Sequence, residues 1–178
     1  MNKQLKRITG MFARYIVLIL LGINSLYIIY AILTPLTIKT LTIILSIFTN
    51  PITTGNFINL TNSTIQIIPA CVAGAAFYLL LILTLSIPDV KPITRTKAII
   101  TAVAILFALN ILRILILTLF INSIYFETIH WIIWHLVSTL FVVATWFITI
   151  KIYKIKSIPI YSDAKYLIKF TKNTKRKK

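Results

Sequence analysis

Acidic residues are nearly absent: Asp89, Glu127 and Asp163 are the three in 178 residues. Cysteine occurs once and histidine twice, so no intramolecular disulfide can form and a tetrahedral zinc site is not expected. So few carboxylates also leave no basis for a calcium- or magnesium-type site. The chain contains no Gly-x-Ser-x-Gly, no His-Glu-x-x-His and no paired aspartates within an apolar run. Serine-hydrolase, zincin and aspartyl intramembrane chemistries therefore fit poorly. No internal repeat and no cofactor motif is visible.

Polar surface is scarce too. Charged residues make up 12% of the chain and hydrophobic residues 58%, with a mean hydropathy of +0.93. A soluble domain carries roughly a quarter charged residues to solvate its surface. The apolar residues here fall in runs of about 20, the length that crosses a bilayer's hydrocarbon. A water-soluble globular domain is excluded. So is a basic disordered tail protein, which lacks such apolar content.

What is abundant is positive charge. Nineteen Lys and Arg against three acids give a net charge of +16. In a soluble protein that balance points to nucleic acid. In a membrane chain it is first a statement about orientation, because Lys and Arg gather on the cytoplasmic side. No nucleic-acid partner is needed.

Four spans are expected, at about 15–34, 70–87, 98–120 and 131–150. The first follows Lys3, Lys6, Arg7 and Arg14 and ends at Pro35; it is too long for a secretory h-region and has no cleavage site after it. The second ends at the breaker cluster Pro88-Asp89-Val90-Lys91-Pro92. The fourth stops at Lys151, Lys154 and Lys156. Between the first two spans, Leu41–Phe48 is too short to cross and reads as an external interfacial or re-entrant helix. The stretch 56–68 receives no firm structure. The expected fold is thus an all-α integral membrane protein, a polytopic bundle of about four transmembrane helices plus that external segment. Residues 1–156 form a single transmembrane domain, and residues 157–178 a basic cytoplasmic tail.

With both termini inside, seventeen of the nineteen cations face the cytoplasm; Lys39 lies outside and Arg113 within a span. The tail alternates Lys with Ile, Tyr and Leu, which suits contact with anionic membrane lipids, although setting orientation is the simpler role. Two glycosylation sequons, Asn59-Leu60-Thr61 and Asn62-Ser63-Thr64, fall on the external side.

Three residue types carry candidate chemistry. Cys71 follows Pro69, a residue suited to the first turn of a helix, at the outer start of the second span. A helix N-terminus favours the thiolate. A buried structural cysteine is the commoner fate. Against it, Ala70, Ala73, Gly74 and Ala75 leave room for another chain to approach. Arg113 lies inside an apolar run, with Asn110 one turn before it on the same face. An arginine at membrane depth costs at least about 2.5–3.5 kcal/mol and usually marks a functional site. Sixteen residues after Lys97, a rise of about 24 Å, it reaches the outer half of the bilayer, where snorkelling is the alternative. His130 and His135 begin the fourth span, about 140° apart on a helix, so at most one joins the others. A thiol, an imidazole and a guanidinium at one depth make cysteine acyl transfer the candidate reaction.

These residues resemble the exosortase/archaeosortase family of membrane cysteine transpeptidases. The matching pieces are Pro69-Ala70-Cys71-Val72-Ala73-Gly74, Asn110-Ile111-Leu112-Arg113-Ile114, and Phe126-Glu127-Thr128-Ile129-His130 with Trp134. Val72 and Ala73, where bacterial members read Ser-Gly, and the short length look more like the archaeal branch. The resemblance implies an outward-facing Cys71, Arg113 and histidine site in the cell membrane, with Asn110 supporting. His130 is favoured over His135. It also implies partners: exported proteins with a carboxy-terminal sorting helix, and a lipid acceptor. Two other readings stand beside it. One is a hydrolytic membrane protease. The other is a non-enzymatic subunit or carrier in which Arg113 binds an anion and Cys71 is dispensable.

Overall fold

Residues 3–61, 63–88 and 90–155 are described by a computed structural model, with side chains from residue 8 onward except 136 and 137. Asn62 of the second sequon, Asp89, Lys156 and the 157–178 tail lie outside the described residues.

Helix α1 spans Lys3–Gly22 and α2 spans Tyr27–Leu45. Between them Asn24, Ser25 and Leu26 all take positive φ, a left-handed break. The expected 15–34 span therefore straddles two helices. Pro35 does not end the second of them. Its ring removes one helical donor, a loss that membrane helices tolerate when neighbouring groups re-satisfy the backbone. The segment read as a short external helix, Leu41–Phe48, is mostly the continuation of α2. Burial at Ile29, Leu33, Thr37, Leu41 and Leu45 follows a strict four-residue period along its length.

The stretch 56–68, left without structure, holds two strands of a small antiparallel sheet whose first strand precedes it, so the fold is not purely helical. Strands β1 (Ile52–Thr54), β2 (Phe57–Asn59) and β3 (Thr64–Gln66) lie in the order β1-β2-β3. Gly55 at φ +59 turns the first hairpin. Ile58, Ile65 and Ile67 are buried, while Phe57, Thr64 and Gln66 are exposed. The alternation Thr64-Ile65-Gln66-Ile67 is a period-two signal, though one too short to stand out among the surrounding isoleucines.

Three long helical segments follow. A one-turn helix α3 (Pro69–Val72) leads into α4 (Gly74–Leu85), then come α5 (Pro92–Leu119), α6 (Phe126–Ile132) and α7 (Ser138–Ile152). A π-helical turn over Ile133–Val137 joins the last two. Among the described residues, three segments are long and apolar enough to cross a membrane: Asn24–Leu45, Pro92–Leu119 and Phe126–Ile152. The apolar helices Ile8–Gly22 and Pro69–Leu85 are shorter.

Polar ties set how the helices align. Arg14 Nη1 donates to the carbonyls of Leu85 (3.0 Å) and Ile87 (2.7 Å), and Arg95 reaches the same two oxygens at 2.8 Å each. Two arginines thus cap the carboxyl end of α4, where helical carbonyls lack partners. Further along, Tyr78 Oη donates to Leu18 O at 2.9 Å, and Gly74 abuts the Tyr30 ring. So α1 and the start of α2 run antiparallel beside α4, from Leu85 to Gly74. Tyr153 bonds Thr101 at 2.8 Å, which brings the end of α7 beside the first part of α5. Lys151 and Lys154 therefore share the Arg14–Arg95 end, and Cys71 sits at the other. Between apolar helices in lipid, close packing and such hydrogen bonds supply the association that hydrophobicity supplies in water.

Candidate active site

Cys71 is placed by a break in the chain. Ile68 is extended, Pro69 opens the single turn of α3, and Ala73 adopts a left-handed conformation (φ 57, ψ 35) that starts α4 on a new course. For a residue with a Cβ this conformation costs about 1–2 kcal/mol. It also takes from the Ala70 and Cys71 carbonyls the partners four residues on that a continuous helix supplies.

Arg113 and Asn110 take over those carbonyls. Arg113 Nη2 donates to Ala70 O and to Cys71 O, each at 3.0 Å. Asn110 Nδ2 donates to Cys71 O at 3.0 Å and, at longer range, to Val72 O at 3.5 Å. Both residues are buried on one face of α5, with exposures of 3% for Asn110 and 4% for Arg113. The arginine is therefore not snorkelling. It holds the strained turn that carries the cysteine.

The rest of the guanidinium meets α7. Arg113 Nη1 donates to Ser138 Oγ at 2.6 Å, and Ser138 Oγ donates to Ile133 O at 3.3 Å. The five-residue reach of this second bond belongs to the π-helical turn, which frees Ser138 to face α5. Arg113 Nε is buried without a partner. An orphaned donor of this kind is expensive in apolar surroundings.

Cys71, Arg113 and His130 line one cavity of about 250 Å³, together with Thr64 and Gln66 of β3 and Phe126 of α6. The thiol is half-buried, and Cys71 Sγ lies 3.9 Å from Gln66 O. The His130 ring stacks on Phe126 one turn earlier, with centroids 5.7 Å apart and planes 9° from parallel. His135 does not line this cavity. It is exposed, packs between Trp131 and Trp134 at 4.6 and 4.4 Å, and pairs through Nδ1 with Trp131 O at 3.0 Å.

Four of the five residues singled out from sequence thus come together: Cys71, Arg113, His130 and, through the Cys71 carbonyl, Asn110. His135 stays apart. Sequence reasoning did not find Ser138, whose facing depends on the π turn, nor the contribution of Thr64 and Gln66.

No family model, no curated protein and no solved structure matches this chain. The reading of the site therefore rests on its own chemistry.

Proposed function

We propose that this chain is a membrane-embedded cysteine transpeptidase of archaeosortase type, acting on the carboxy-terminal sorting signal of exported proteins. The observation that carries the reading is the shared cavity of Cys71, Arg113 and His130, three residues from three separate helices. The gathering of cations at the far end of the bundle supports an orientation with both termini cytoplasmic and this cavity outward in the cell membrane.

In the proposed reaction His130 takes the Cys71 thiol proton and the sulfur attacks a peptide carbonyl carbon. The oxyanion that forms is met by the charged guanidinium of Arg113. The C–N bond breaks, and the leaving amine receives the proton from the imidazolium. A thioester on Cys71 remains. An amine or hydroxyl of a lipid acceptor attacks it, gives its proton to His130 and releases the thiol. Water in the acceptor's place makes the same site a hydrolase.

The anion-carrier reading is less favoured, because it gives Cys71 and His130 no role in the cavity they share with Arg113. The test is processing, in cells, of a tagged exported protein ending in an apolar helix and a basic tail. Cys71→Ala is expected to leave the precursor uncut at normal membrane abundance. Normal processing by this variant would falsify the thiol mechanism. A mass measurement on the product separates transfer from hydrolysis.

A further inference from the structure

The cavity beside Cys71 has an unusual wall. All three residues of β3, Thr64, Ile65 and Gln66, line it, and β3 is one of the two edge strands of its sheet. The register identifies which backbone groups face outward. Ile67 N–H donates to Asn56 O and Leu60 N–H to Ser63 O, both at 2.8 Å, so the hydrogen-bonded pairs with β2 fall at Ser63, Ile65 and Ile67. The N–H and C=O groups of Thr64 and Gln66 therefore point to the open edge. The Cys71 contact agrees, since its thiol reaches Gln66 O on that side.

We infer that the substrate binds as an extended strand added to the open edge of β3, which carries its backbone past Cys71. This deepens the proposed function and rests on it. Thr64 and Gln66 offer donors and acceptors two residues apart, about 6.8 Å, the repeat an adjoining strand presents. An extended polypeptide is the ligand that answers this pattern, through its main chain rather than its side chains. The cavity's 250 Å³ is small beside the roughly 300–1,000 Å³ of pockets that enclose a whole small ligand, and it suits one end of a chain passing through. The Thr64 and Gln66 side chains are exposed on one face of the sheet, so they would flank alternate substrate residues.

The test exploits the single cysteine. In a Cys71→Ala background, Gln66→Cys introduces the only thiol, and single cysteines are placed at successive positions of the same tagged exported protein, upstream of the cut. Disulfide yield should peak at every second substrate position. Uniform yield, no yield, or a peak every third to fourth position overturns strand addition.

A second pair of variants separates backbone from side chain. Gln66→Ala keeps every main-chain group of the edge and tests the side chain alone, so it should retain clearly more processing than a variant that removes the edge N–H. Gln66→Pro removes an edge donor without touching a β2 bond, and should lower processing about tenfold or more at normal abundance. Equal processing by both variants overturns the inference. If Cys71→Ala itself still processes, the enzyme reading has failed. If Cys71→Ala is inert but the cross-links lack the two-residue period, strand addition alone has failed.

Discussion

Arg113 Nη2 donates to the carbonyl oxygen of Cys71 at 3.0 Å, so the membrane-depth cation and the lone thiol are joined through the cysteine's main chain. One guanidinium ties α5 to the α3 turn and, through Ser138, to α7. The fork geometry matters more than the charge. A lysine ammonium cannot reach three acceptors in two directions in the same plane.

Arg113→Lys should therefore fail despite keeping its charge. Losing buried charge-assisted bonds costs about 1.5–3 kcal/mol each. Processing is expected to fall at least about a hundredfold, and the Cys71 thiol, the only one present, should react faster with a maleimide as its turn loosens. Unchanged labelling and unchanged processing together would show that the fork is not needed.

The two histidines should separate cleanly. His130 lines the Cys71 cavity, whereas His135 packs among tryptophans outside it. His130→Ala should reduce processing by about 10²–10⁴-fold, the ordinary contribution of a positioned acid–base group. His135→Ala should remain within about threefold. The reverse result would move the proton-transfer role to His135.

Ala73→Gly is predicted to stabilise the protein. The left-handed φ of 57 strains an alanine and not a glycine, a difference of about 1 kcal/mol. A rise of about 2–4 °C in the unfolding midpoint in detergent is expected. A fall would mean that the methyl group's packing outweighs its strain.

Gly74→Ala should act in the opposite direction. A Cβ there meets Tyr30 Cε1 and Cζ at 2.6 Å, closer than atoms pack. Overpacking of this kind costs about 1–3 kcal/mol. Combining it with Tyr30→Ala should recover part of the loss relative to Tyr30→Ala alone, because the clash is with the ring. If the two changes are simply additive, the contact is not the cause.

Much of the site was legible residue by residue. A lone cysteine after a proline, an arginine inside an apolar run and an asparagine one turn before it are each anomalies against the expected composition of a membrane helix. Their meeting is now explained by the break at Ala73, which exposes the carbonyls that Asn110 and Arg113 bind. Gly74 makes room for Tyr30, and the left-handed residue is the alanine before it.

Hydropathy, the excess of cations and the rarity of acids are local, additive properties, since each side chain's preference for lipid or water is nearly independent of its neighbours. Composition and the order of apolar runs therefore sufficed to indicate helices long and apolar enough to cross a membrane. The breaks at 24–26 and at Ala73, the passage of α2 through Pro35, the three-residue strands and the placing of His130 in the Cys71 cavity are not local. Each depends on hydrogen bonds and packing from elements far away in sequence. Only the tertiary structure supplies those partners, and it alone decides which of two nearby imidazoles shares a cavity with the thiol.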